Sequence, residues 1–323
     1  MEKKPLVVIV GPTAVGKTKL SIELAKALNG EIVSADSMQI YRYMDIGTAK
    51  PTAEERQGIP HHMMDIIDPG QEFSVAEYQR LAIQAIDDIH SRSKLPIVVG
   101  GTGLYIKSLL YPMNFTDASY DPEFRRELQR QAETMGKEYL HKKLQAVDPK
   151  TAARLHPNDV RRVIRALEVY HLTGKPMSEY NQELEKMDYK YNVAMIGLTM
   201  DRAKLYERIN QRVDEMIEKG LLDEVKRLLD RGYTRDMISM QGLGYKELID
   251  YLQGKVSLEE AIYILKRETR RYAKRQLTWF RAQKDIVWVN VDQFESHEAL
   301  VKRCLAYIKE KLNINSQNHL LNN

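Results

Sequence analysis

Short apolar runs alternate with longer amphipathic stretches along this 323-residue chain. Five runs have the length and composition of buried strands, at residues 6–10, 31–34, 96–99, 193–198 and 287–291. Apolar residues at helical spacing fill the intervals, beginning with Leu20, Leu24 and Leu28. Strands that alternate with helices predict an α/β fold, in which helices cover both faces of a mostly parallel sheet.

The interval between the third and fourth strand candidates is far too long for a single crossover. It contains a helix start at Asp121-Pro122-Glu123, and a second helix that follows Asn158 and ends at Gly174. We therefore expect an all-helical domain inserted into the sheet domain. The expected boundaries are a core in two parts (1–115 and 191–312), a helical insertion (116–190) and a disordered tail (313–323).

Composition narrows the class of protein. The chain is 43% hydrophobic and 29% charged, which is ordinary for a globular protein, and no apolar run approaches the length of a membrane span. The first predicted strand begins too early for a signal peptide, and the single cysteine, Cys304, excludes an internal disulfide. These features predict a cytoplasmic protein without a membrane anchor.

The most informative motif follows the first predicted strand. Its residues match the pattern G-x-x-x-x-G-K-[ST] between a strand and a helix: Gly11, Pro12, Thr13, Ala14, Val15, Gly16, Lys17 and Thr18. In such loops the backbone N–H groups surround an anion at a helix N-terminus, the lysine reaches the terminal phosphate, and the last hydroxyl can bind Mg²⁺. By contrast, His61, His62 and Asp65 lack a further well-spaced ligand for a metal site. The sequence therefore predicts a phosphate or pyrophosphate site, with Mg²⁺ as cofactor at Thr18.

Other candidate side chains are expected near this loop. Asp36 directly follows the second strand, so it should lie at the carboxyl ends of the strands, as a general base, a Mg²⁺ partner or a cap for the next segment. The third strand ends in Gly100 rather than in the aspartate with which P-loop NTPases usually hold Mg²⁺, which weakens the case for nucleotide hydrolysis. Arg208 and Arg212 lie one helical turn apart, either as a pyrophosphate clamp or as solvated surface charges.

Positive charge is concentrated in two predicted helices. Residues 266–284 contain eight basic residues and one acidic residue, whereas the whole chain has a net charge of only +4. In the insertion, Arg161, Arg162 and Arg165 lie opposite the apolar stripe of their helix. In the later helix, one stripe carries Arg267, Arg270, Arg271, Lys274 and Arg281, opposite Ile262, Leu265, Tyr272 and Trp279. With 18 tyrosines in the chain, these faces favour a nucleic acid partner over merely solvated surfaces.

Assembled, these pieces resemble the tRNA dimethylallyltransferase (tRNA isopentenyltransferase) family, in its bacterial form. Besides the phosphate loop, the similar segments are 34–41 (SADSMQIY), 45–51 (DIGTAKP), 100–105 (GGTGLY), 156–168, 242–245 (GLGY) and 274–279 (KRQLTW). The resemblance runs through most of the chain. It implies transfer of a dimethylallyl group from dimethylallyl diphosphate to the exocyclic N6 amine of the adenine 3′ of the anticodon in tRNA, with release of pyrophosphate.

The resemblance also implies roles for individual residues. Asp36 would accept the proton of the adenine amine, while Lys17, Thr18 with Mg²⁺, and Arg212 would stabilise the charge on the departing pyrophosphate. The phosphate loop and Arg208 would hold the diphosphate, and the acceptor base would be flipped into the site. With the basic helix added, the residues expected to contact tRNA are Asp36, Ser37, Met38, Gln39, Thr102, Arg125, Arg161, Arg162, Val163, Ile164, Arg165, Gln241, Gly242, Leu243, Gly244, Tyr245, Lys246, Arg270, Arg271 and Lys274.

Two other functions remain open at this point. A P-loop kinase of a nucleotide or small metabolite would share the loop but would use ATP as its donor. A non-catalytic RNA-binding ATPase or switch protein would bind RNA in a nucleotide-dependent way and leave it unmodified. Incubation with labelled ATP and with labelled dimethylallyl diphosphate separates the kinase from the prenyltransferase. For the prenyltransferase, we expect a monomer that binds the anticodon stem-loop of tRNA.

Overall fold

The computed structural model describes residues 3–113 and 121–314. Six parallel strands form one sheet in the order β3-β2-β4-β1-β5-β6. Their bounds are β1 Pro5–Val10, β2 Gly30–Ala35, β3 His61–His62, β4 Leu95–Gly100, β5 Asn192–Thr199 and β6 Val287–Asn290. The five predicted strands are confirmed. The edge strand β3 was missed because two residues are too few to show a pattern.

Helices connect these strands and form the insertion. Their bounds are α1 Lys17–Ala27, α2 Ala53–Arg56, α3 Val75–Ser91, α4 Gly103–Leu110, α5 Pro122–Thr134, α6 Lys137–Val147, α7 Pro149–Arg154, α8 Val160–Thr173, α9 Met177–Glu185, α10 Arg202–Glu218, α11 Leu221–Asp230, α12 Tyr245–Leu252, α13 Leu258–Arg281 and α14 His297–Leu312. Within the described ranges, no helix is both long enough and apolar enough to cross a membrane.

Successive residues of a strand point to opposite faces of the sheet, so the apolar strands bring side chains to both faces, where helices cover them. Val7 and Ile9 of β1 pack on one face with Leu20 of α1 and Ile308 of α14. Helix α3 packs against β2 and β4, and the hydroxyl of its Tyr78 donates to the carbonyl oxygen of Ser34 at 3.0 Å. The predicted α/β class, with a parallel sheet between helices, is confirmed.

A separate apolar cluster positions the segment that follows β2. Ile40, Tyr41 and Met44 from this segment are buried against residues of α11, α12 and α13, among them Leu221 and Leu248. The segment after Asp36 is thereby held against the turn that precedes α12. Both stretches are among those for which the resemblance implies a contact with tRNA.

The described residues fall into two compact units, one made of the stretches up to Leu110 and from Lys190 onward, the other lying between Tyr111 and Tyr189. The second unit contains α5 to α9, and its core includes Leu128, Leu140 and Leu144. Helix α5 begins where the sequence predicts, with the Asp121 side chain accepting from the N–H groups of residues 123 and 124, and α8 ends at Gly174. Residues 116–120 of the expected insertion and 315–323 of the expected tail lie outside the described residues.

Candidate active site

The phosphate loop joins β1 to α1, as the sequence predicts. Gly16 has a φ of 102°, a left-handed conformation that glycine adopts without strain, and α1 begins at the next residue. The Nζ atom of Lys17 donates to the carbonyl oxygens of Gly11 (2.9 Å) and Pro12 (2.7 Å). Burial lowers the pKa of Lys17 to about 7, against the opposing effect of Asp36. The loop therefore holds a desolvated amine, whose charged form a bound anion would favour.

Two adjoining cavities meet beside this loop. The larger, of about 600 Å³, is lined by residues 16–18 of the loop and by the start of the segment after β2. The smaller, of about 330 Å³, is lined by residues 36–38 and 241–246. Both linings include Thr13, Asp36, Arg212 and Tyr272. The structure therefore brings Asp36 to the point where a phosphate-binding space and a second space join.

Asp36 serves as a cap and remains available for chemistry. Its Oδ1 accepts a hydrogen bond from the N–H group of Met38 at 2.9 Å, which is the capping role left open by the sequence. Burial raises the pKa of its carboxyl above the ordinary value, although the Met38 N–H group and Lys17 oppose the shift. A half-buried carboxylate with a raised pKa at the junction of two cavities is a candidate general base.

The side chains that follow Asp36 are tied to their surroundings. The N–H group of Ser37 donates to Thr102 Oγ1 at 3.1 Å. The Gln39 side chain accepts from the Ser34 hydroxyl (3.0 Å) and donates to the Thr48 carbonyl oxygen (3.2 Å). The Thr102 side chain also lies near the phenol of Tyr272 on α13; burial raises the pKa of that phenol, and Thr102 opposes the shift. The segment is thus fixed at both ends, and Thr102 lies beside the candidate base.

Gln276 is a site residue that sequence reasoning missed. Its side chain is buried on α13; Oε1 accepts from the N–H group of Thr13 at 2.9 Å, and Nε2 donates to the carbonyl oxygen of Gly101 at 3.2 Å. One side chain therefore joins the phosphate loop to the glycine-rich turn after β4. The sequence offered two signals: an uncharged polar residue on the buried face of a basic helix, and its place in the family-like segment 274–279.

Glu224 is a second missed residue. Its carboxylate is buried and accepts hydrogen bonds from the N–H groups of Asp45 (3.1 Å), Ile46 (2.8 Å) and Gly47 (3.1 Å), and from the Tyr245 hydroxyl (2.7 Å). These bonds hold the loop that lines both cavities. An acidic residue on the apolar face of α11 is the signal that would have indicated it.

The two arginines of the expected pyrophosphate clamp lie in different surroundings. Arg212 lines both cavities, and burial lowers the pKa of its guanidinium. Arg208 is exposed and is not among the described residues that line either cavity. Its charge adds to the Asp201 N–H bond and to Lys204 in lowering the pKa of Asp292. The structure does not support the expected pairing of Arg208 with Arg212, because the two guanidinium groups occupy different surroundings.

Several side chains expected to contact RNA are buried instead. Tyr245 is 1% exposed, and its hydroxyl is committed to Glu224, so its side chain has a structural role. In the helical unit, Val163 and Ile164 are 1% and 6% exposed in the core of the unit. For these three side chains the structure contradicts a direct contact with RNA. Tyr245 is packed in a core cluster, and the amphipathic pattern of α8 turns Val163 and Ile164 inward.

The four arginines of the helical unit that were expected to contact RNA differ in their partners and exposure. The side chains of Arg125 and Arg165 both bond the buried carboxylate of Glu168, at 2.8 Å and 2.6 Å. Arg161 and Arg162 are exposed, and the latter only approaches Asp159, at 4.0 Å. Arg161 and Arg162 therefore remain the accessible cations of α8.

The predicted apolar stripe of α13 is partly wrong. Leu265 is buried as expected, together with Ala273 and Phe280, but Trp279 is exposed. The side chains of the basic face also have more partners than the sequence indicated. Arg267 and Arg271 bond Glu268, and Arg270 bonds Asn210. Lys274 lies exposed on this helix.

No protein-only metal site is present in the part of the chain that the structure describes, since no three His, Cys, Asp or Glu side chains are grouped suitably. His62 lies 2.8 Å from the buried Glu31, whose carboxylate also bonds Arg92 and Lys94. These contacts, led by the Arg92 bond, hold the pKa of Glu31 well below its usual range. His62 is thus tied to the buried Glu31, and the Nδ1 atom of His61 lies 2.8 Å from the carbonyl oxygen of Ile59.

Comparison with known proteins gives consistent results. A profile of the family described as IPP transferase matches residues 39–283. The tRNA dimethylallyltransferase of Acetivibrio thermocellus is 56% identical over 303 residues, which cover 94% of this chain and 97% of that protein. The crystal structure of the tRNA isopentenylpyrophosphate transferase from Bacillus halodurans has 52% identity and a TM-score of 0.73, over 97% of both chains. A eukaryotic dimethylallyltransferase captured acting on tRNA has a TM-score of 0.81 and 34% identity, over 96% of this chain and 80% of that one.

The parallel sheet, the phosphate loop and the joined cavities define a P-loop enzyme in which the half-buried carboxylate of Asp36 lines the same cavity as the phosphate loop. Since the matched profile covers most of the chain, the protein belongs to the IPP transferase family. The resemblance indicated by the sequence is therefore confirmed, and the protein is an enzyme of the prenyltransferase class.

Proposed function

We propose that this protein transfers a dimethylallyl group from dimethylallyl diphosphate to the N6 amine of the adenine 3′ of the anticodon in tRNA, releasing pyrophosphate. The observation that carries the proposal is the position of Asp36 in the linings of both cavities. The larger cavity offers a site for the donor, since it contains the phosphate loop. The smaller cavity, between residues 36–38 and 241–246, offers a site for a flipped acceptor base.

The donor side of the reaction depends on positive charge. The bond between the allylic carbon and the diphosphate oxygen breaks, and negative charge develops on the leaving oxygens. Lys17, Arg212 and the loop N–H groups stabilise this charge in a site where burial strengthens electrostatic interactions. The allylic cation is left facing the second cavity, where the acceptor nitrogen forms the new carbon–nitrogen bond.

Attack by the adenine amine depends on a group that removes its proton. The exocyclic amine of adenine is a poor nucleophile until it loses a proton, and the carboxylate of Asp36 takes that proton as the new bond forms. The cap from the Met38 N–H group and the bond between Ser37 and Thr102 hold this carboxylate and its neighbours in place. Asp36 is therefore the catalytic base, and Thr102 is a positioning residue in this mechanism.

The residues at the loop fit a divalent cation shared with the substrate. Thr18 is exposed at the first turn of α1 and lines the larger cavity, while the described residues provide no multi-carboxylate cluster there. Mg²⁺ commonly binds in this way, through a hydroxyl, substrate phosphates and water. When bound, Mg²⁺ would neutralise charge on the diphosphate.

The proposal also includes a monomeric enzyme in the cytoplasm, where its tRNA substrate is found.

The test is a reaction with unmodified tRNA. The protein is incubated with total tRNA and dimethylallyl diphosphate, and the digested nucleosides are analysed by mass. We expect a new adenosine carrying one dimethylallyl group, and equimolar pyrophosphate. Parallel incubation with labelled ATP serves as the control. Transfer of label from ATP to an acceptor, without prenylated adenosine, would contradict the proposal in favour of a kinase.

A further inference from the structure

Trp279 is a large apolar side chain that the structure leaves open to solvent, with 43% of its surface exposed. The ring is nevertheless held firmly on one side. A Cβ atom added to Gly103, the first residue of α4, would lie 2.0 Å from the indole Nε1 and 2.2 Å from Cδ1. The indole therefore lies directly on the Gly103 backbone, where any larger residue would displace it. An aromatic ring that is supported on one side and open on the other is suited to stacking.

The backbone that supports this ring is connected to the segment that carries the candidate base. Gly103 follows Thr102, whose Oγ1 accepts a hydrogen bond from Ser37, the residue after Asp36. On α13, Trp279 follows Arg275 by one helical turn, and Arg275 lines the smaller cavity. The indole thus lies one helical turn from a residue that lines the smaller cavity, where we place the acceptor base.

The surroundings of the ring are positively charged. Residues 269–284 contain no acidic residue, and Lys274, Arg275 and Arg281 are exposed in this stretch. None of these three cations forms an ion pair with another residue in the described ranges 3–113 and 121–314. An exposed aromatic ring among unpaired cations complements a single-stranded nucleic acid, whose phosphates bind the cations while a base stacks on the ring.

We propose that the indole of Trp279 is a stacking platform for a base that flanks the acceptor adenine in the RNA loop. This inference rests on the proposed function, because it assigns the flanking nucleotide of the same substrate. Extrusion of the adenine leaves its neighbour without a stacking partner, and Trp279 replaces that partner. The ring thereby helps to hold the loop open while the adenine occupies the smaller cavity.

The test measures binding of an anticodon stem-loop RNA to full-length variants. From the free energy of stacking on an aromatic ring, we expect Trp279→Ala to lose about 5- to 150-fold in affinity for this RNA. Trp279→Phe should retain most of the affinity. Tyr263→Ala is the matched control: Tyr263 is 60% exposed on the same helix, about 24 Å away along the axis, and should bind as the parent does. Pyrophosphate affinity should be unchanged in all three variants.

Two further measurements distinguish stacking from a structural role. The chain has two tryptophans, so Trp288→Phe leaves Trp279 as the only indole, and its fluorescence should be quenched when RNA binds. An RNA with abasic nucleotides on both sides of the acceptor adenine should bind the parent and Trp279→Ala equally. Failure of the parent protein to bind the stem-loop would count against the proposed function itself. Normal binding by the parent, with no loss for Trp279→Ala or with a loss that persists on abasic RNA, would overturn only the stacking inference.

Discussion

The side-chain oxygen of Gln276 accepts a hydrogen bond from the backbone N–H group of Thr13 at 2.9 Å. The two residues are 263 positions apart in the chain, and the bond joins the basic helix α13 to the phosphate loop. Because Nε2 of the same amide donates to Gly101, Gln276 also fixes the turn that leads to Thr102. Helix α13 thus connects a surface suited to RNA with the site suited to diphosphate.

Gln276→Leu should weaken pyrophosphate binding without altering RNA affinity by more than a few-fold. The leucine is similar in size but leaves the Thr13 N–H group and the Gly101 carbonyl oxygen without partners, each at a cost of about 1–3 kcal/mol. We expect a lower thermal midpoint and a weaker pyrophosphate Kd by calorimetry. Gln253→Leu, at an exposed glutamine at the end of α12, is the control. A parent-like pyrophosphate Kd in Gln276→Leu would mean that the phosphate loop does not depend on this bond.

Asp36→Asn should abolish most of the chemistry while leaving RNA affinity nearly intact. The amide is almost isosteric but cannot accept the proton, and loss of a general base costs about 10² to 10⁴ in rate. Single-turnover formation of prenylated adenosine is the measurement. Near-parent rates would reduce Asp36 to a cap for the segment after β2.

The same substitution should raise the thermal stability at neutral pH. The folded protein raises the pKa of Asp36, so the ionised carboxylate is disfavoured by folding above the ordinary pKa of an aspartate. Asparagine removes that charge, and its stabilising effect should shrink as the pH falls to about 4, where the parent carboxyl is protonated. Thermal unfolding at several pH values tests this. A gain that does not depend on pH would point to packing rather than to charge.

Pyrophosphate binding should take up a proton through Lys17 above neutral pH. The pKa of Lys17 is lowered to about 7 in the folded protein, so the amine is mostly neutral at pH 8, and a bound anion restores its charge. Calorimetry in buffers of different ionisation enthalpy measures the uptake. Lys17→Met should remove it, which separates the lysine from protonation of the ligand itself. Equal uptake by parent and variant would exclude Lys17 as the proton acceptor.

Arg212→Ala and Arg208→Ala form a matched pair on α10. Arg212 lines both cavities, whereas Arg208 lies outside the described lining, so only the first change should weaken diphosphate binding. Loss of hydrogen bonds to a charged group corresponds to about 1.5–3 kcal/mol, or roughly 10- to 150-fold in Kd. The Michaelis constant for dimethylallyl diphosphate and the pyrophosphate Kd are the readouts. Equal losses in the two variants would restore the pyrophosphate clamp that the sequence suggested.

The exposed cations should control the salt dependence of RNA binding. Replacing Arg161, Arg162 and Lys274 with glutamine should flatten the slope of log K against log salt by about two units, since each phosphate contact contributes 0.7 to 0.9. Arg165→Gln should instead destabilise the helical unit, because it removes a partner of the buried Glu168. An unchanged slope in the triple variant would mean that these three cations do not meet phosphates.

Much of the molecule could be predicted from local patterns. The five longer strands, the helix start at Asp121 and the end of α8 at Gly174 depend on residues within one or two turns of each other, so neighbouring residues reveal them. The phosphate loop is also local, because its N–H groups, its lysine and its hydroxyl come from eight consecutive residues. Asp36 could be placed near this loop because both follow strands of one parallel sheet.

Which residues contact these local features, and which side chains they bury, was decided only by the tertiary structure. Gln276 reaches Thr13, and Glu224 reaches residues 45–47, across separations of 263 and about 178 positions, which no local pattern encodes. The periodicity of α8 and α13 indicated which residues share a face, but not which partners cover that face. Arg165 is therefore bound to a buried carboxylate, while Trp279 remains exposed on α13. Burial, and with it every shifted pKa in the site, depends on neighbours brought together by the whole chain.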